Sequence, residues 1–579
     1  MKIKKYMTVA LLACASATLP SCMDLEPKAE MADNMVWNTP ENFQLFANQY
    51  YGWVQDWQRG FGGDFHSDFN SDLLCTTNVN LISQGTNTIP NSDNGNFRDW
   101  YKRIYYCNLL LKNANGFTGG NISVPVAEAK FFRAWCHFEL VQRYGNIILL
   151  TEPLDMDSEK LYGSRDDRSK VIDQCIQDLW EAADGLPDKP TADGRLCKSA
   201  AWGLLSRVAL YEGTWQKFHN GGASSNTTDE RSKALLTHAK NAAYEVIKAG
   251  NYKLFYNDQL GTDSYRYMFI LEDEKCNPAG LTKANNTEYI LARRHRLGDK
   301  LGQNITHAIT TTNNFYVTRK LANLYLCQDG LPVSISSQFK GYKTLTSEYD
   351  NRDNRMTNTL RKNGQKYWDN EAIHCRTAWD ATDESRAYTY NSMQYSGYSA
   401  WKWAVERQVA DYYESYDYPM IRYAEVLLNY AEATYELGNS ISDADLDLSL
   451  NLVRLRVNPK MPKLTNALVS ANAAKGMNMR DEIRRERTVE LFLEGFRLDD
   501  LKRWATAPLE MSQDLEGVLV TGTEYETRWT GRTGALSKEG CVVMYSGRSA
   551  WQLDPKLYLL PVPVDELQLN PNLGQTPGW

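Results

Sequence analysis

Carboxylates, histidines and cysteines are the residues with which this chain could do chemistry. Asp64, Asp68 and Asp72 give the best acidic cluster, one residue in four, inside a Gly-, Asp- and Asn-rich stretch. Two carboxylates facing each other across a cleft suffice for glycoside hydrolysis, so the cluster is a candidate acid pair. The same spacing also suits a capped, hydrogen-bonded turn. Hard oxygen ligands suit Ca²⁺, but the spacing departs from the twelve-residue calcium loop, and no metal is expected. Histidines stand at 66, 137, 219, 238, 295, 307 and 374 without clustering. His137 lies in an amphipathic stretch and reads as a local hydrogen-bond partner. The sequence has no Gly-x-Ser-x-Gly elbow, no His-Glu-x-x-His, no phosphate loop and no dinucleotide fingerprint. No catalytic residue and no cofactor are therefore expected.

The cysteines divide into two groups. Cys22 closes the run Leu19-Pro20-Ser21-Cys22, which follows a lysine-rich start (Lys2, Lys4, Lys5) and the apolar run from Met7 to Leu19. That run is shorter than the roughly 20 residues a membrane-spanning helix needs, and it reads as a secretory signal. The Leu19–Cys22 run resembles a bacterial lipobox, with proline at the second-last position as a departure, and it makes Cys22 the expected lipidation site. The cysteines at 75, 107, 136, 175, 197, 276, 327, 375 and 541 form no Cys-x-x-Cys pair and no disulfide framework.

Charge excludes one class of partner. Asp and Glu number 71 against 64 Lys and Arg. No long basic run supplies the cationic footprint that nucleic acid requires. Aromatics point the other way. Sixteen tryptophans and thirty-four tyrosines exceed what a core of this size demands, and stacked rings grip neutral, hydroxyl-rich ligands.

These residues must be held by helices. Apolar spacing of three and four predicts helices over 40–51, 100–111, 126–144, 169–183, 199–211 and 232–248, then again from Met420, over 445–456 and over 478–496. Thr39 and Asn478 stand where N-caps belong. In the last of these, Glu486, Glu490, Leu493 and Arg497 share one side, a pattern that admits a buried ion network or a solvent face. From 251 to about 407 the helical period fades into short strand-like pieces such as Glu288–Leu291. The predicted fold is mostly α: tetratricopeptide-like helical pairs with an irregular α/β insertion, although no 34-residue period is kept.

Larger blocks carry a resemblance. The run from Asp417 to Ala433 (DYPMIRYAEVLLNYAEA), then Asn451–Arg456, then Arg484–Arg497 continuing to Trp504, and the tail from Leu560 to Trp579 together resemble the RagB/SusD family of outer-membrane nutrient-binding lipoproteins. Cys22–Pro27, Asp329–Pro332 and Asp350–Arg355 are similar to its mature start and mid-chain turns. The resemblance implies a surface lipoprotein, anchored to the outer membrane by lipid alone. It implies binding of a nutrient, such as a glycan or oligosaccharide, and delivery to a TonB-dependent SusC-like transporter. The other readings are a surface glycoside hydrolase and a non-catalytic tetratricopeptide-like scaffold.

On this reading residues 1–21 are signal, 22–38 a lipidated tether, 39–250 the N-terminal helical region, 251–415 the irregular ligand-binding region, and 416–579 the signature helices. The resemblance places ligand contacts in the first long loop and the irregular middle. Aromatic rings flanked by amides make the expected site there: Trp57 and Asn78, then Tyr265, Tyr267, Trp368, Trp379, Tyr395, Tyr398 and Trp401. Trp100, Trp135, Trp180 and Trp202 lie in helices and are expected to be scaffold. Arg487, Glu490 and Arg497 are expected to lock the last helix against its neighbours.

Overall fold

The computed structural model describes residues 37–579 except 55, 57–66, 77, 94, 156, 221–229, 298–304, 311–315, 363–395, 406–412 and 530–533. Cys22, Trp57, Trp368, Trp379 and Tyr395 lie outside the described residues.

Helices build the first half as the spacing predicts. Helix α1 (Pro40–Ala47) starts where the Thr39 side chain accepts from the Asn42 amide and Pro40 fills the first turn, which needs no amide donor. Helices α2 (Arg98–Ala114), α3 (Ser123–Tyr144), α4 (Arg168–Gly185), α5 (Lys198–Asn220) and α6 (Glu230–Ala249) follow, each packed on the next. α3 is buried along most of its length and stops at Gly145, whose φ of 72° a side chain would strain. His137 on α3 is neutral: burial brings its imidazole down to about 3, and it bridges the Arg133 carbonyl and the Leu150 amide. Later come α7 (Tyr423–Gly438), packed on α6, then α8 (Leu450–Leu455), α9 (Met479–Glu490) and α10 (Arg497–Arg503). Asn478 caps α9 by accepting from the Asp481 amide. Buried ion pairs tie helices together: Arg133 on α3 to Asp178 on α4 at 2.6 Å, Arg168 on α4 to Glu212 on α5 at 2.7 Å and Lys217 on α5 to Glu436 on α7 at 2.7 Å.

Short antiparallel pairs join segments between the helices. β1 (Leu74–Cys75) meets β3 (Tyr316–Val317), β2 (Tyr289–Arg293) meets β4 (Tyr418–Arg422), and β5 (Leu515–Leu519) meets β6 (Cys541–Tyr545). A second hydrophobic core forms here around Phe69, Leu321, Met356, Trp403 and Phe492, beside the main helical core.

Three expected elements come out differently. The helix expected from Met420 begins at Tyr423. Residues 418–422 are instead a fully buried strand, and the Tyr423 amide donates to the Glu288 carbonyl at 2.9 Å. The helix expected over 478–496 ends at Glu490, because Leu493 (φ 61°) and Gly495 (φ 86°) turn the chain through the left-handed region. That turn aims the Leu493 carbonyl at Trp403 Nε1, 3.2 Å away. The segment 445–456 is split at Ser449.

The shared face of Glu486 and Glu490 is a buried ion network. Arg422 Nη1 donates to Glu288 and to Glu490, both at 2.7 Å, and its Nε donates to Glu494 at 2.6 Å. Arg456 pairs with Glu490 and, at 3.1 Å, with Glu288. Arg355 reaches Asp353, Glu486 and Glu490. Lys402 adds 2.6 Å to Glu494. Burial would raise the Glu490 carboxyl, but the charges of Arg456, Arg422 and Arg355 hold it well below the usual range. The network joins the signature helices to the irregular region, and every member is buried.

Candidate ligand-binding site

Expected site residues that lie within the described part are mostly core. Tyr265 is fully buried, with its hydroxyl donating to the Glu490 carbonyl at 2.6 Å. Tyr398 donates to Glu348 at 2.8 Å and is 1% exposed. Trp401, also 1% exposed, and Tyr267 lie against the Arg266 guanidinium. In this structure all four rings are buried and pack in the core. Asn78 is exposed, and its carbonyl accepts from Thr76 and from Tyr545.

The acidic cluster is likewise committed. Asp72 receives both Arg497 nitrogens at 2.8 Å and Lys320 at 2.7 Å. Burial raises the Asp68 carboxyl to about 6 against the backbone amides of Gly495, Leu493 and Arg497. These two carboxylates bind the first loop to the turn before α10. Asp64 lies outside the described residues.

An open cleft of about 470 Å³ lies elsewhere, where Gly52, Trp53 and Val54, helices α2, α3 and α5, and the turn into α10 converge. Its size falls in the small-molecule range of roughly 300–1,000 Å³. Trp53, Trp100, Trp135 and Phe496 line it, with Arg103, Glu139, Gln142, Arg143 and Asp499. Asp56 and Ser67, on either side of residues 57–66, line it too. Cavities of about 560, 440 and 580 Å³ elsewhere have no tryptophan among the described residues that line them.

Helical spacing assembles one wall. Trp100 and Arg103 are three residues apart on α2, and Trp135, Glu139 and Arg143 are four apart on α3, so each set shares a face. The Arg103 guanidinium lies 4.4 Å from the Trp100 ring centroid and 5.9 Å from that of Trp53. Arg143 lies 5.2 Å from the Trp100 ring, and Trp135 meets it edge-on at 5.3 Å. Glu139 fixes the wall by accepting from Trp135 Nε1 at 2.9 Å and from Arg143 at 2.5 Å.

The opposite wall is the signature block. Arg207 pairs with Glu425 at 2.6 Å and lies over Phe496. Arg487 pairs with Asp500 at 2.8 Å, and Arg503 with Glu432 at 2.5 Å. Arg487, Glu490 and Arg497 thus act as locks. Asp499 differs from its neighbours. Burial raises its carboxyl to about 6, with Lys502 opposing and Glu139 reinforcing the shift.

Residues 286–579 match the model of the SusD family. The chain belongs to that family. Residues 23–210 of this SusD-family chain also match a model described as "Starch-binding associating with outer membrane". A "SusD-like protein P25" of Formosa agariphila is 30% identical over 125 residues, covering 21% of this chain and 24% of that protein. A "SusD-like protein" of Bacteroides ovatus is 24% identical over 284 residues, covering 46% of this chain and 47% of that one. The chain therefore spans from about a quarter to about half the length of these curated relatives. Its fold is that of a SusD-like protein from Bacteroides fragilis (TM-score 0.70, 22% identity, 96% of this chain and 100% of that one). A SusD-like carbohydrate-binding protein from the same species shares it (TM-score 0.69, 22% identity, 93% and 100%).

The cleft is hidden from sequence because a tryptophan in a helix reads as scaffold. Trp100 is in a helix, yet it faces the cavity. The available signal was the Trp100–Arg103 spacing beside Glu139 and Arg143, each pair legible on one helical face.

Proposed function

We propose that this chain is an outer-membrane lipoprotein, anchored through lipid on Cys22, that binds a glycan and delivers it to a TonB-dependent SusC-like transporter. Membership of the SusD family is the observation that carries the reading. The tryptophan- and arginine-lined cleft supports it by offering a ligand-sized concavity with hydrogen-bonding groups at its walls. The helical pairs fit a tetratricopeptide-like frame. No helix among the described residues is long and apolar enough to cross a membrane, and a lipid anchor would supply attachment. Trp57, Trp368, Trp379, Tyr395 and Asn78 remain proposed loop contacts to the ligand.

The test is purification from native membranes in mild detergent, followed by mass spectrometry. A β-barrel transporter should co-purify. Recovery of the protein alone across several detergents would overturn the reading.

A further inference from the structure

We infer that the cleft takes a glycan bearing an anionic substituent, a uronate carboxylate or a sulfate ester, and that Arg103 receives it. The inference rests on the receptor reading and names the ligand class for that same cleft.

The cleft is crowded with charges, and nearly all are already neutralised. Arg143 is paired with Glu139, Arg207 with Glu425, Arg487 with Asp500, and Arg503 with Glu432. Asp56 is held by His295 at 2.7 Å and Arg293 at 3.8 Å. Arg103 stands apart. Among the described residues it makes no ion pair and no hydrogen bond, and its contacts are the Trp100 and Trp53 rings. Asp99 lies four residues earlier on the same helix, a spacing that favours pairing, yet the two do not pair. Asp499 lines the same cleft, but it forms no ion pair with Arg103.

Stacking explains what that leaves free. A guanidinium is planar and carries its five N–H donors in the plane. The ring contacts hold the Arg103 charge without an acid partner, so among the described residues its donor edge is not spent on an oxygen. That edge matches a carboxylate or sulfate in a two-bond fork, and the match strengthens where water is partly excluded. The same geometry argues against a neutral sugar stacked on Trp100. Two guanidinium groups lie over that ring and Trp135 abuts its side, so it orients a cation instead of presenting a bare plate.

The experiment is isothermal titration of the full-length protein with matched pairs of oligosaccharides. One pair is an oligogalacturonate and its methyl ester; the other is a sulfated galactan oligosaccharide and its desulfated form. The first pair reports carboxylate recognition and the second sulfate recognition. Arg103→Met, which keeps an apolar stem over Trp100, and Arg103→Lys, which keeps the charge without the fork, are compared with wild type after their melting curves are shown to coincide. At least one acidic member should bind, its neutral counterpart should bind at least tenfold more weakly, and R103M should lose at least tenfold. R103K should fall between, and affinity should drop as salt is raised. Neutral members that bind as well as acidic ones, with R103M without effect, overturn the inference and leave the receptor reading standing. Absence of binding by every acidic member also overturns it, while co-purification of the transporter decides the receptor reading separately.

Discussion

Replacing Glu490 by glutamine tests whether the buried ion network holds the two cores together. Glu490 is fully buried. One carboxylate oxygen takes Arg422 at 2.7 Å together with Arg456, and the other takes Arg355 at 3.1 Å. Glutamine has the same shape, so no cavity opens. It removes one negative charge among three guanidinium groups and turns one acceptor into a donor that faces an arginine. Breaking a buried pair by removing one partner costs about 3–5 kcal/mol, because the opposite charge stays buried and uncompensated. Surface pairs set the contrast. Lys170 and Asp166 are 2.6 Å apart, but the lysine side chain is 65% exposed. Lys170→Met should therefore cost under about 1 kcal/mol. Urea unfolding followed by tryptophan fluorescence measures both. A domain's whole stability is about 5–15 kcal/mol, so E490Q should shift the midpoint far more than K170M. If the two variants unfold within about 1 kcal/mol of each other, the network is not what fixes the fold.

Acid should expose the same electrostatics at Glu432. Burial would raise its carboxyl, but Arg503, Arg487 and a bond from Trp504 bring it down to about 2. A carboxylate with a depressed folded pKa stabilises fully above its unfolded value of about 4.3 and loses that contribution as pH falls toward 2. Glu432→Gln should flatten the stability slope across that window, read from unfolding curves at stepped pH; an unchanged slope would refute the assignment. At the other end of the chain, Cys22→Ala should move the protein from the detergent phase to the soluble fraction. Partitioning like wild type would remove the lipid anchor from the proposal.

Helix starts were legible because their signals are local. Thr39 with Pro40, and Asn478 with Asp481, lie within four residues of the turn they cap. What failed depends on distant partners. Met420, Tyr423, Ala424 and Leu427 fit a helical face, but residues 418–422 pair with 289–293, and Arg422 meets Glu288 across 134 positions. Spacing alone could not show that Glu486 and Glu490 face inward either, since Arg355 and Arg422 arrive from elsewhere in the chain. Burial of single aromatic residues is hidden from sequence for a related reason. Lys402 follows Trp401 in the chain, and its ammonium is buried against Glu494 and the Phe492 carbonyl. Desolvation lowers it to about 8, with Glu494 opposing the shift. A charged neighbour marks a surface ring only when that charge has no buried partner.

The same criterion separates scaffold from site in the cleft. In the signature block three guanidinium groups are each bound to a buried carboxylate: Arg487 to Asp500, Arg497 to Asp72 and Arg503 to Glu432. Changing one member strands the other at a cost of several kcal/mol, so such blocks identify a frame. A ligand contact is defined the opposite way. It must keep hydrogen-bonding capacity unspent in the free protein, held in place by something that does not consume it. Aromatic rings do this for Arg103, since Trp100 and Trp53 hold the guanidinium by its charge and supply no hydrogen-bond acceptor. No residue type or spacing announces an unspent donor, because a partner four residues away, as Asp99 is, looks sufficient on paper. Only the side-chain geometry separates Arg103 from the paired arginines around it.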